Sequence, residues 1–347
     1  MIRISRSFIQ GVRAAQSAPD LHYYLQSAIK LEHSTIPPYL TALFSLKPGT
    51  NREIAALIRS IVIEEMLHMT IAANILIATG GRPQINTREF IPTYPGPLPM
   101  NIGSGLIVGI EAFSLELTKK VFMAIEEPEK PIPIAPPSLF AAAEPEYGTI
   151  GEFYDAVKQK IRDLGQSIFV QAAAPPQVID NRWFPASDLF LITGPDTACQ
   201  AIDIIKIEGE GTSTDPFQSG RDPAHYYKFG EIVNGRGIVQ TPTGYAYDGP
   251  PIPFDAAGVW PLRPNCRITD FPEGSQARNR IERFANAYAT LLNSLHLTCN
   301  GHPEQLQTAI GIMYDLRVFA VALMQTDIGN GQTAGPSFEY VQTQTGA

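Results

Sequence analysis

The chain has 347 residues and a formal net charge of −8, with 26 Lys and Arg against 34 Asp and Glu. This length leaves room for one large hydrophobic core or two modest ones. The acidic balance and the lack of any Lys/Arg run argue against a nucleic-acid partner. Three scattered cysteines, Cys199, Cys266 and Cys299, make neither a disulfide framework nor a thiolate metal knot. The N-terminus lacks an apolar h-region and no continuous run reaches the ~18 apolar residues of a membrane span. The expectation is a soluble, cytoplasmic protein with no membrane partner.

In chain order, residues 20–46 repeat apolar side chains at helical spacing, with Asp20 as N-cap; Pro37 and Pro38 are expected to kink or break this helix. Residues 51–79 form a second helix, closed by Gly80 and Gly81 with Pro83 beyond. A loop, "YPGPLPMNIGSG", precedes a third helical stretch over 105–126 that stops at Pro128. After a Pro-rich run at 128–137, helices are expected at 150–172 and 196–211. Residues 215–274 are rich in Pro, Gly and Tyr and read as a long irregular insertion with short strands at most. Two amphipathic helices within 276–325, joined by "TCNGHP", read as an αα-hairpin.

The segment "IVIEEMLHMT" (61–70) carries the first chemical signal. On a helical wheel Glu65 shares its face with Ile58, Ile61, Val62, His68, Met69 and Ala72, so a carboxylate stands on an apolar stripe with one imidazole beside it. An ionised carboxylate there is costly unless a cation meets it. Glu-x-x-His is the unit by which four-helix bundles ligate one metal of a dinuclear site, although a buried Glu–His hydrogen bond needs no metal. Glu32 repeats the pattern on the preceding helix, among Leu25, Ala28, Ile29, Thr35, Ile36 and Tyr39. Two carboxylates on the apolar stripes of consecutive helices turn the balance towards a metal site. His33 points ~100° away from Glu32 and reads as a surface or outer residue.

The second half is less regular. Glu152 in "TIGEFYDAV" is either a third-helix ligand or the closing residue of a Thr149-x-x-Glu capping box. In "AIDIIKIEGEGTSTD", Glu208 continues the apolar face of Ala201, Ile204 and Ile205, while Glu210 lies between two glycines; neither is followed by a histidine three residues on. The nearest imidazole is His225 in "DPAHYYKFGEIV". His22, His296 and His302 read as solvated or capping residues. Gly-x-Ser-x-Gly is absent, and no glycine-rich flavin or nicotinamide fingerprint appears.

Taken together, "AIKLEHSTIPPYLTALFSLK", "EEMLHMTIAANILIATGGRP", "YPGPLP", "TIGEFYDA", "GEGTS" followed by "AHYYKFGEI", "VWPL" and "AGPSFEY" resemble the ferritin-like domain of the iminophenyl-pyruvate dimer synthases of violacein biosynthesis and the related chromopyrrolate synthases. The resemblance runs in order from about residue 20 to 340. It implies a mainly α fold, a single ferritin-like four-helix bundle over 1–347 with a long Pro/Gly-rich insertion and an extra C-terminal helical hairpin. It also implies a dinuclear metal site, two Fe with Mn as the alternative. Residue by residue it matches Glu32, Glu65 with His68, Glu152, and Glu210 with His225 to metal ligands; it favours Glu210 where periodicity favours Glu208. Ile207 departs from the Glu expected there.

The functional expectation is a metal-dependent oxidoreductase acting with O₂ or peroxide on an amino-acid-derived, aromatic small molecule in secondary metabolism, with Tyr39, Met69, Phe153, Tyr154 and Tyr226 as candidate lining. The alternatives are an iron-handling protein or a non-catalytic biosynthetic partner. A homodimer is the default assembly on base rates.

Overall fold

The computed structural model describes residues 4–101, 105–128, 131–132, 134–135, 147–170, 176–212, 214–217 and 222–342. Helices dominate it: α1 (Arg6–Ala14), α2 (Ala18–Ser45), α3 (Arg52–Ala78), a short run α4 (115–125) interrupted by a π turn at Thr118–Phe122, α5 (Ile150–Leu164), α6 (Pro195–Glu210), α7 (His225–Asn234), α8 (Gln276–Cys299) and α9 (Gln305–Met324).

The core is a bundle of two helix pairs. Helices α2 and α3 run antiparallel, since His22 meets the carbonyl of Thr79 near one end and Thr35 meets Glu65 near the middle. Their apolar stripes, Leu25, Ala28, Ile29, Ile36 and Tyr39 on α2 and Ile58, Ile61, Val62, Met69 and Ala72 on α3, are all buried, as period-3.6 patterning requires. Helices α5 and α6 form the second antiparallel pair, tied across by Lys158 to Asp203 and Lys206 to Asp155. Helix α1 covers α5 through Ile9 and Val12.

Several expectations change on folding. Pro37 and Pro38 do not break α2, which continues to Ser45. Pro38 cannot donate to the carbonyl of Ser34, and the Tyr94 hydroxyl donates to that oxygen at 2.6 Å instead, so the freed acceptor is satisfied. The third stretch is helical only from 115. Helix α5 ends at Leu164, before Gly165 at positive φ, and a single 3-10 turn follows; positions 171–172 lie outside the described residues. The insertion holds more than strands, because α7 lies within it.

The rest of the insertion is fastened to the α2–α3 connection. Asn51 hydrogen-bonds both the backbone N–H and the carbonyl of Asp255, and Trp260 donates its amide to Ser45. Helices α8 and α9 form the expected hairpin, with Arg280 donating to the carbonyl of Ala322 at 2.7 Å. Small sheets pair Ile4–Ser5 with Tyr147–Gly148, and Ile134–Ala135 with Gly244–Ala246 and Val239–Thr241.

Two helices, Arg52–Ala78 and Gln305–Met324, are long and apolar enough to cross a membrane, contrary to the reading from continuous apolar runs. In α3 the most apolar window is 78% buried inside the bundle, so packing among helices accounts for its composition. The corresponding window of α9 is 22% buried.

Candidate metal centre

Six acidic or imidazole side chains from five helical elements converge inside the bundle. Glu32, Glu65 and His68 each offer a ligand atom within 4.8 Å of the others, and so do Glu65, Glu126 and His225. Glu65 belongs to both groups. All five are buried. Glu210, at the end of α6, lines the same cavity of about 40 Å³ as Glu32, Glu65, His68 and Glu126.

The two imidazoles are used alike. His68 turns Nδ1 towards Glu32 Oε2, 3.7 Å away, and holds Nε2 3.0 Å from Glu208 Oε2. His225 turns Nδ1 towards Glu65 Oε1 at 3.0 Å and Glu126 Oε2 at 3.4 Å, and sets Nε2 2.8 Å from Glu64 Oε2. The rings lie 5.4 Å apart, centroid to centroid. Inner carboxylates are held in turn by hydroxyls: Thr35 donates to Glu65 Oε2 at 2.9 Å, Tyr39 to Glu126 and Tyr154 to Glu32.

Burial and crowded negative charge govern the protonation of this cluster. Desolvation, with the Glu126 carboxylate adding to it, pushes Glu65 up to about 7. Burial also raises Glu210 to about 7, against a hydrogen bond from the Gly151 amide. For His68 burial acts downward, but the hydrogen bonds to Glu208 and Glu32 outweigh it and lift the imidazole to about 10. His225 is raised in the same way, by Glu126, Glu64 and Glu65 against desolvation. Glu64 goes the other way: burial would raise it, yet His225 and Lys228 bring it to about 2. Tyr39 and Tyr154 are raised by burial and by the carboxylates they face, and so stay hydroxyl donors.

The donor set fits a metal. His225 Nδ1 is fully buried and aimed into the cluster, with the Glu65 and Glu126 oxygens 3.0 and 3.4 Å away but in hydrogen-bond geometry with neither, although buried ring nitrogens are ordinarily satisfied. Carboxylates mixed with imidazoles suit Fe, Mn and Zn better than hard-only Ca or soft-only Cu(I).

The residues expected from the sequence fall into three groups. Glu32, Glu65, His68 and His225 are brought together. Glu208 and Glu210 both reach the cluster: Glu208 on the outer edge of His68, Glu210 on the cavity wall. Glu152 is not brought in, because its carboxylate accepts from the Thr149 amide while Thr149 accepts from the Glu152 amide at 3.0 Å, a complete capping box. The third bundle helix therefore sends in Tyr154 rather than a glutamate.

Glu126 was missed by sequence reading. It is the first residue after α4, four residues beyond Phe122, and that apolar spacing before Pro128 was the available signal. Among the expected lining residues Tyr39 and Tyr154 touch the cluster. Phe153 instead packs on Phe8 and Tyr154, Met69 lies in the core, and Tyr226 meets Tyr227 edge to face. His33, expected near the surface, is buried 2.8 Å from the Tyr288 hydroxyl, and burial pulls it down to about 3.

The Ferritin-like family profile matches residues 25–234, which carry every residue of this cluster. The chain belongs to the ferritin-like family. Its fold is also similar to the crystal structure of a ferritin-like protein from Caulobacter vibrioides, at 23% identity and a TM-score of 0.60, over 93% of this chain and 99% of that one. No curated protein matches it. The matched family region and the Glu/His groups positioned for a metal thus fall on the same residues.

Proposed function

We propose that this ferritin-like chain is a dinuclear metal oxidoreductase, with iron as the metal and manganese as the alternative, acting on an amino-acid-derived small molecule. The observation that carries the reading is the sharing of Glu65 by two donor groups, which is what a carboxylate bridging two ions requires. Glu32, Glu65 and His68 would hold one ion and Glu65, Glu126 and His225 the other, with Glu210 facing both across the cavity. Such a pair, when bound, would supply one-electron redox steps and open positions for O₂ or peroxide.

The chain's own groups then have defined tasks. Tyr39 and Tyr154 keep a proton on the outer lone pairs of Glu126 and Glu32 and fix the orientation of those carboxylates. Thr35 does the same for Glu65. The apolar stripes of α2 and α3 exclude bulk water from the donors. A cavity of about 40 Å³ admits water- or dioxygen-sized molecules but no indole or phenol ring, whose pockets run to ~300 Å³ or more. The organic substrate is therefore proposed to meet the site from outside the carboxylate cage. The motif resemblance to iminophenyl-pyruvate dimer synthases supports oxidation or oxidative coupling in secondary metabolism.

The small cavity also favours a second reading, iron handling without an organic substrate. Anaerobic titration with ferrous iron, followed by O₂ with and without aromatic amino-acid-derived candidates, separates the two. Uptake of about two Fe per chain with O₂ consumption coupled to an organic product supports the oxidoreductase. Oxidation of many equivalents without any organic substrate supports iron handling, and no uptake sinks both.

A further inference from the structure

Outside the two donor groups, one charged pair, a buried ammonium and a partly buried carboxylate, has no part in the reading above. Lys228 is 1% exposed, and its ammonium donates to both oxygens of Glu64, at 2.6 and 2.7 Å. Glu64 in turn lies 2.8 Å from His225 Nε2. Lys228 stands three residues after His225 on α7, and Glu64 stands next to Glu65 on α3. The ion pair thus locks the first turn of α7 to the middle of α3 at the point where His225 enters the cluster.

Burying an ammonium against a partly buried carboxylate is expensive, and apolar residues of similar size commonly serve stability as well or better. A structural account of the pair is therefore weak. Its geometry has a specific effect on the imidazole, however. A carboxylate already saturated by Lys228 accepts the Nε2 proton of His225, so Nδ1, which faces Glu65 and Glu126, is the nitrogen that would meet a cation in exchange for its proton. Lys228 cancels the charge of Glu64, so this acceptor adds no net negative charge to an already anionic cluster.

We propose that Glu64 and Lys228 are positioning residues for the second cation position, the one formed by Glu65, Glu126 and His225, and that they govern its affinity separately from the position formed by Glu32, Glu65 and His68. The inference rests on the dinuclear reading. His68 is fixed by its place within α3, whereas His225 opens a ten-residue helix in the insertion and depends on this clamp.

The test is anaerobic titration with Co(II) alone, following the ligand-field absorption and the number of equivalents bound, on the full chain. The variant is Glu64→Leu/Lys228→Met, which removes acceptor and ammonium together and leaves no unpaired buried charge. The parent is expected to bind two equivalents. The variant is expected to bind one as the parent does and the second about 10- to 100-fold more weakly, the usual size of such an effect. Lys228→Arg, which keeps the cation, is expected to retain both. Two equivalents at parental affinity in the double variant, or equal weakening of both, overturns the proposal. Should the double variant fail to give the parental circular dichroism spectrum, Glu64→Gln/Lys228→Met takes its place under the same criteria. A parent that binds no Co(II) fails the dinuclear reading itself, an outcome distinct from failure of the clamp.

Discussion

Glu32, Glu65 and His68 stand in the middle of helices of 28 and 27 residues that pack along their length. Glu126, Glu210 and His225 stand at helix ends: the first residue after α4, the last of α6 and the first of α7. Mid-helix side chains are placed by periodicity, so whatever keeps α2 and α3 packed keeps three donors aimed inward. End residues are placed by caps and loops, and here the helix dipole opposes them. Two carboxylates at C-termini cost ~0.3–1 kcal/mol each at exposed sites, a cost that a cation between them offsets. One side of the cluster is thus built by secondary structure, and the other is completed by tertiary structure.

The largest effect should come from the residue common to both sides. Glu65→Ala is expected to abolish binding at both positions, read as total metal by elemental analysis, whereas His68→Ala should spare the second. Retention of two ions in Glu65→Ala would break the idea of a shared ligand. Next, Glu126→Ala should empty only the helix-end position and leave the Tyr39 hydroxyl unpaired in the core, lowering stability by about 1–3 kcal/mol in chemical denaturation.

The pH dependence sharpens the same contrast. His68, raised to about 10 when folded, contributes stability that is complete below its unfolded value near 6.5 and is lost as pH rises through 10. Glu65 and Glu210, raised to about 7 from 4.5, favour the protonated folded form, so they too become less favourable as pH rises between those values. Glu64, depressed to about 2, has the opposite sign, and its contribution disappears only as pH falls from 4.5 towards 2. Chelator-treated protein should therefore lose thermal stability as pH rises from 6 to 9, metal-loaded protein much less, and loading near pH 7 should release protons. Equal slopes for both forms in melting experiments would contradict this.

Smaller effects test the ends one at a time. A Cβ on Gly151 would lie 2.5 Å from Glu210 Oε2, so Gly151→Ala should push that carboxylate aside and disturb its hydrogen bond from the Gly151 amide, at a cost of about 1 kcal/mol. Unchanged metal content in that variant would remove Glu210 from the ligand set. Smallest of all for the metal centre, Thr149→Ala should cost about 1 kcal/mol as a lost cap with metal content intact, in keeping with Glu152 as a cap.

Legibility in the sequence divides along the same line. Glu32, Glu65 and His68 were legible because a polar residue on an apolar stripe is conspicuous at period 3.6. Glu126 was not, because 105–114 is not helical and the π turn in α4 shifts the register of the residues after it. Periodicity favoured Glu208 and the family resemblance Glu210, and both reach the cluster, by different edges. His225 stood out only as the nearest imidazole after α6, and the family resemblance made it a ligand, because Pro223 hides a short helix within the insertion. Pro37 and Pro38 misled in the other direction, as their tolerance depends on Tyr94, some sixty positions away.

The π turn at Thr118–Phe122 also bears on how this end of the cluster tolerates a change of chain length. A π turn holds one residue more than the α-helical turn it replaces, and each residue of an α-helix rotates its successors by about 100°. Deleting a single codon within 118–122 would therefore restore a regular helix and leave Glu126 on the side that faces His225, because the extra residue is absorbed within the turn. A one-residue change of length is thus absorbed locally at this helix end, whereas within the long α2–α3 pair it would rotate every donor beyond it by about 100°.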